Sequence, residues 1–196
     1  GNKMIYVFLA NGFEEIEGLT VVAFLRRAEL EVCTVGVGGK LITGAHNIPV
    51  FCDLDESEVR LDGELEAVVL PGGMPGTLNL EKSETVKKTV NYCADNDRYV
   101  CAICAAPSIL GHMGLLKGKT ACCFPGFENE LEGADVSENY VCRDGKIITA
   151  KGMGAAIDFS EKITACLINE SKAKKIKESL QCPCCCLLKT SPSQRD

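Results

Sequence analysis

Histidine is scarce in this sequence: His46 and His112 are the only two. Chemistry that leans on an imidazole base therefore has two places to come from. No run of eighteen apolar residues occurs, so no membrane-spanning helix is expected. Basic residues are outnumbered, 21 Lys and Arg against 27 Asp and Glu, for a formal net charge of −6. Nothing in that balance attracts nucleic acid or an anionic membrane. The first residues lead into an apolar strand without the layout of a signal peptide. Internal repeats and composition breaks of the linker type are also missing. The 196 residues, 46% hydrophobic and 24% charged, suit one globular domain with a sizeable core.

Cysteine is what the chain has in excess, with 13 residues. In a small secreted domain such a number would signal disulfides. Here Cys33, Cys52, Cys101, Cys122, Cys142 and Cys166 lie inside apolar strand or helix patterns. Free, buried cysteine behaves in this way in a reducing compartment, and a cytoplasmic location is expected. The tail holds Cys182, Cys184, Cys185 and Cys186. It offers one tight cluster without a second ligand pair at zinc spacing, so no metal is expected there.

Met4–Ala10 reads as a strand buried on both faces, followed by an Asn11-Gly12 turn and a helix over Phe13–Ala28. Glu31–Val37 is a second strand. The Gly- and Thr-punctuated stretch to Cys52 is a β excursion. Glu66–Leu70 is a third buried strand, stopped by Pro71-Gly72-Gly73-Met74-Pro75-Gly76. Glu84–Ala94 is helical, Tyr99–Ile103 is a strand, and Thr120–Phe124 is another. Arg143-Asp144-Gly145 marks a hairpin between Tyr140–Cys142 and Lys146–Ala150. Gly154–Ile168 is an amphipathic helix. Strands alternating with helices predict an α/β fold with a parallel sheet covered on both faces. Residues 1–170 are read as one domain, and residues 171–196 as a helical extension over Lys172–Lys177 with a disordered Cys-rich tail.

Cys104 carries the chemistry. It falls where a strand gives way to a helical first turn, with Pro107 tolerated because first-turn amides lack intrahelical acceptors. Such a junction lifts a side chain into the crevice at the strand's carboxyl end. The following amides and the helix dipole are expected to favour the thiolate. Cys101, three residues earlier, is expected to face the opposite side and to be core. Glu14, Glu15 and Glu17 follow the first strand on the same rim. A carboxyl beside a cysteine raises the thiol pKa if ionised and lowers it if protonated, and acids at a helix start also have a plain role with the dipole. Spacing does not choose among these. Gly72 and Gly73 let backbone amides approach a ligand and, with the amide of Ala105, form an oxyanion site. His112 lies about 12 Å along the helix from Cys104, out of reach as a base. His46 reads as a surface residue, with a site or dimer contact as the lesser alternative.

Taken together, these residues resemble the ThiJ/PfpI superfamily, most closely its parkinsonism-associated protein deglycase branch. The carriers are Leu9–Glu17, Val69–Gly73, Ala102–Pro107, Ser137-Glu138-Asn139 and Asp144–Gly152, and the resemblance covers about Met4–Ile168. It implies a flavodoxin-like three-layer sandwich with a mostly parallel central sheet, usually as a homodimer. It assigns the nucleophile to Cys104 and its protonated carboxyl partner to Glu17. It also assigns oxyanion or oxidised-sulfur binding to the Gly73 and Ala105 amides. One departure stands out: the position expected to hold histidine is Phe124. That disfavours a peptidase and leaves Glu17 to move protons alone.

The resemblance implies glyoxalase or deglycase chemistry on small 2-oxoaldehydes such as methylglyoxal, without a cofactor. The competing expectation is an oxidative-stress sensor or chaperone-like protein whose Cys104 is oxidised to sulfinate.

Overall fold

The computed structural model describes residues 3–183. The first half runs β1 (Met4–Leu9), α1 (Glu15–Arg27), β2 (Glu31–Gly36), β3 (Leu41–Thr43), β4 (Pro49–Phe51), β5 (Leu54–Asp55), β6 (Leu65–Leu70), α2 (Gly76–Lys82) and α3 (Glu84–Asp95). It continues through β7 (Tyr99–Ile103), α4 (Pro107–His112), β8 (Thr120–Ala121), β9 (Asp135–Val136), β10 (Val141–Asp144), β11 (Ile147–Ala150), α5 (Ala156–Leu167) and α6 (Glu170–Ser179). Seven strands form the central sheet in the order β10-β11-β7-β6-β1-β2-β5. Only β10, paired with β11, runs antiparallel. The expected α/β, flavodoxin-like architecture is the one observed.

The central strands are apolar at nearly every position because both faces of the sheet are covered. Ile5, Val7, Leu9, Val69, Cys101 and Ile103 pack against Val21, Leu25, Phe159 and Ile163 of α1 and α5. Their alternates Tyr6, Phe8, Val68, Leu70, Val100 and Ala102 pack against Leu80, Val86, Val90 and Ile109 of α2, α3 and α4. Full burial of each Val, Ile, Leu or Phe contributes about 1.5–3 kcal/mol, so both faces must be covered, α1 and α5 lying on one and α2, α3 and α4 on the other. The sheet order sets β7, β6 and β1 side by side, and their carboxyl ends therefore share one rim.

Several boundaries differ from the sequence reading. The first helix begins at Glu15, not Phe13. Glu14 stands at its N-cap and accepts the Ile16 amide at 3.2 Å, while Phe13 is buried beneath it. The strand expected over Thr120–Phe124 stops at Ala121, because the following amides are engaged elsewhere. Cys122 donates to the Thr149 hydroxyl at 3.0 Å and Phe124 to the Cys104 carbonyl at 2.8 Å. Helix α2 was hidden among prolines and glycines. Gly76 starts it because a Cβ there would lie 2.5 Å from the Phe13 amide nitrogen. The stretch Lys172–Lys177 lies within a separate helix, α6, that begins after a break at Ile168. Asn169 caps α6, and Lys177 ties it to Asp158 and Glu161 of α5 at 2.7 and 2.8 Å. The cysteines from Cys184 onward lie outside the described residues. No helix among the described residues is long and apolar enough to cross a membrane.

Candidate active site

Strand β7 ends at Ile103, and Cys104 turns the chain with a φ of +67°. A left-handed backbone at a non-glycine residue costs on the order of 1–3 kcal/mol. Two backbone hydrogen bonds pin it: Cys104 donates to Ala150 at 2.9 Å, and its carbonyl accepts from Phe124 at 2.8 Å. At about 1 kcal/mol net each, they are of the size needed to offset the strain. The elbow expected at this position is present.

The turn also corrects one placement. Cys101 is core, fully buried as expected, but it does not face away from Cys104. Both belong to the apolar layer under α1 and α5. Strand alternation holds only to Ile103; the positive φ at Cys104 swings its side chain back to the face that Cys101 and Ile103 occupy.

Glu17 arrives from β1 by way of α1. It sits one turn before Val21 on the buried face of the helix and is wholly enclosed. Its Oε1 accepts the Gly72 amide at 3.0 Å, and its Oε2 has no hydrogen-bonding partner. Burial raises this carboxyl to about 7, against smaller lowering contributions from Cys104 and the Gly72 amide. Because Oε1 is occupied as an acceptor, Oε2 is the oxygen left free to hold a proton. Gly72 lies between the two functional groups. A Cβ at this position would fall 2.7 Å from the Cys104 Cβ and 2.7 Å from Glu17 Oε1. Glycine is required here by contact, so that thiol and carboxyl can touch.

The sequence reading grouped Gly72 and Gly73 as oxyanion donors. The structure separates them: the Gly72 amide is spent on Glu17, and the amides that reach the Cys104 sulfur are those of Ala105 and Gly73. The expected preference for thiolate also needs correction. Burial, then the Glu17 carboxylate, push the Cys104 thiol up to about 12, against the two amides that pull it down. Helix α4, only six residues long, does not reverse this. Burial is the larger obstacle to the thiolate, and the ionised glutamate adds to it. When Glu17 holds its proton its charge vanishes, and its O–H can donate toward sulfur. The two groups thus share their ionisation, and one proton less on the pair is its reactive form.

Neither histidine serves Cys104. His112 bonds Glu81 through Nδ1 and Glu130 through Nε2 at 2.6 Å. His46 is exposed at the β3–β4 hairpin, with Nδ1 2.8 Å from Glu15 Oε1. Phe124 occupies the position beside Cys104 with its amide bound to the Cys104 carbonyl, and the residue is 41% exposed. A cavity of about 300 Å³ opens there, lined by Phe124, Pro125, Tyr140, Lys151 and the Gly152–Ala155 turn. Lys151 follows Ala150, the acceptor of the Cys104 amide, so both walls adjoin the elbow.

The role of Glu15 was not legible beforehand. Burial raises its carboxyl, but hydrogen bonds from the His46 ring, the His46 amide and the Ile48 amide outweigh it and the net shift is downward. A Cβ on Gly44 would collide with the Glu15 carboxyl group. Glu15 therefore straps the hairpin to the start of α1, beside the site. Glu14, Glu15 and His46 form the one group of metal-ligand type found among the described residues. The oxygens of Glu15 are already occupied by protein donors, which makes the group a brace.

Comparison with known proteins places this geometry. Residues 3–166 match the model of the DJ-1/PfpI family. The Parkinson disease protein 7 homolog of Danio rerio is 31% identical over 182 residues, covering 91% of this chain and 96% of that protein. The crystal structure of a cysteine-to-alanine mutant of the DJ-1 superfamily protein STM1931 from Salmonella typhimurium superposes with a TM-score of 0.87. That protein is 31% identical, and the match covers 93% of this chain and 100% of the other. Oxidized Toxoplasma gondii DJ-1 superposes with a TM-score of 0.84 at 29% identity, over 91% and 98% of the two chains.

Proposed function

The chain belongs to the DJ-1/PfpI family, and from that premise we propose that it is a cysteine-dependent, glyoxalase/deglycase-like enzyme acting on small 2-oxoaldehydes such as methylglyoxal. The observation that carries this reading is the buried pair itself. A nucleophilic sulfur on a strained elbow stands against a carboxyl whose proton is available near neutral pH.

The Cys104 sulfur adds to the aldehyde carbon and the thiol proton passes to the carbonyl oxygen, forming a hemithioacetal. The amides of Gly73 and Ala105 stabilise the developing oxyanion. Glu17, ionised, removes the proton from the former aldehyde carbon. It then returns that proton to the neighbouring carbon of the enediolate, while the hydroxyl proton of the first carbon passes to the oxygen of the second, leaving a thioester beside an alcohol. Water hydrolyses the resulting thioester, releasing the 2-hydroxy acid and restoring the thiol. These steps require no cofactor.

Two specific features support a second reading, in which Cys104 senses oxidants. The same two amides and the proton on Glu17 Oε2 are donors for a sulfinate at Cys104. A peptidase is disfavoured because both histidines are bound elsewhere. We place the protein in the cytoplasm, consistent with ten free thiols among the described residues. We also place it as a homodimer. Exposed Ile16 and Ile48 lie beside Glu15, and exposed Leu41 and Phe51 pair across the β3–β4 hairpin, giving an apolar patch for a second copy.

Lactate production from methylglyoxal by the purified protein, with Cys104→Ser as background, tests the enzyme reading. Turnover above that background is expected. Its absence would overturn the reading and leave the oxidant sensor.

A further inference from the structure

Cys122 and Cys142 take no part in the site described above, yet the fold sets them against each other. Cys142 of β10 lies directly across from Thr149 of β11 in the antiparallel register. Side chains so opposed stand about 4.5–5.5 Å apart at Cβ. Cys122, just past β8, lies over the same threonine: its amide donates to Thr149 Oγ1 at 3.0 Å and its sulfur is 3.7 Å from that oxygen. The Cys122 sulfur is also 3.8 Å from the Tyr140 carbonyl, two residues before Cys142. Both side chains thus lie against Thr149, and both thiols are free.

We infer that Cys122 and Cys142 form a reversible redox clasp, a dithiol that closes to an intrachain disulfide when the protein meets a hydroperoxide. The thiols differ in access. Cys122 is fully buried, whereas Cys142 is 5% exposed on β10, the four-residue edge strand of the sheet. Short edge strands open locally more readily than central ones, so Cys142 meets the oxidant first. Its sulfur attacks one peroxide oxygen, giving a sulfenic acid and an alcohol, or water when the oxidant is hydrogen peroxide. The Cys122 sulfur then displaces hydroxide from the sulfenic sulfur, forming the S–S bond and releasing water. Two thiols lose two electrons to the O–O bond, and both thiol protons end on oxygen. Small thiols reverse the bond by exchange.

Burial, reinforced by Cys142 alongside, pushes the Cys122 thiol up to about 12, which makes it a poor direct target for the oxidant. Closing the clasp ties the exit of β8 to the edge hairpin. That exit continues through Cys123 to Phe124, whose amide holds the Cys104 carbonyl.

The test uses the full chain and its Cys104→Ser variant, so that it stands apart from the enzyme reading. Both are treated with hydrogen peroxide, denatured in iodoacetamide and mapped by peptide mass spectrometry, with fragmentation separating Cys122 from Cys123. The expected product in both proteins is a Cys122–Cys142 cross-linked peptide lighter by two hydrogens, opened by dithiothreitol. In Cys142→Ser, Cys122 is expected to remain alkylated. The inference is overturned if Cys122 and Cys142 both stay alkylatable at a peroxide dose that fully oxidises Cys104 in the unsubstituted chain. A disulfide from Cys122 to any other cysteine would overturn it too.

Discussion

Replacing Glu17 by glutamine keeps the shape of the side chain and removes its titration. Burial raises the carboxyl from 4.5 to about 7 in the folded protein, a difference worth about 3 kcal/mol at roughly 1.4 kcal/mol per unit. Below pH 4.5 the carboxyl is protonated in folded and unfolded chains alike, and enclosing it carries no charge penalty. Between pH 4.5 and 7 the unfolded chain releases the proton while the folded chain retains it, so stability falls as pH rises. Above pH 7 the folded protein encloses a carboxylate and bears the whole penalty. The variant lacks this slope, and every other titrating group is common to both proteins. The stability difference between them should therefore move by about 3 kcal/mol in favour of Glu17→Gln from pH 4.5 to pH 8. Urea unfolding of both proteins at a series of pH values reads this directly. A difference that stays constant across the range would refute the assignment of a buried, proton-holding carboxyl to Glu17.

Gly72→Ala should abolish lactate formation and lower stability by about 1–3 kcal/mol, since its Cβ wedges between Cys104 and Glu17; turnover like that of the unsubstituted protein would show that the pair need not touch. Phe124→His places an imidazole beside the elbow and should speed iodoacetamide alkylation of Cys104 at pH 7 by roughly tenfold, an unchanged rate counting against that placement. Ile16→Glu puts a charge in the exposed apolar patch of the proposed dimer, and light scattering should give a dimer mass for the unsubstituted chain and a monomer mass for the variant; a monomer mass for both would overturn the homodimer proposal.

The layers, and the sharing of one rim by the strand ends, followed from pattern, whereas the strand order did not. Continuous apolar runs such as Met4–Leu9 and Tyr99–Ile103 can be buried only in a sheet covered on both sides. Cys104 was legible because a β-prone run meeting an Ala-Ala-Pro first turn leaves one residue at the bend. What pattern could not supply was contact across the fold. Gly72 and Gly73 are adjacent and alike in sequence, yet one amide binds Glu17 and the other reaches sulfur. The alternation rule misplaced Cys101 relative to Cys104 because it stops where φ turns positive. Glu15 looked like a helix-start acid, and only the approach of the hairpin shows it holding His46. The preference for thiolate was misjudged because the burial that opposes it is a property of the folded site. Cys122 and Cys142 are twenty residues apart and acquire a relationship only through Thr149.

The role of Glu17 as the group that moves the substrate proton is tested most directly by kcat and KM of Glu17→Gln for lactate formation from methylglyoxal. Removing a general acid–base should lower kcat by about 10²–10⁴-fold, while KM stays close to that of the unsubstituted protein because Cys104 and the Gly73 and Ala105 amides remain in place. A kcat within a factor of about two of the unsubstituted protein would contradict the cysteine–glutamate mechanism.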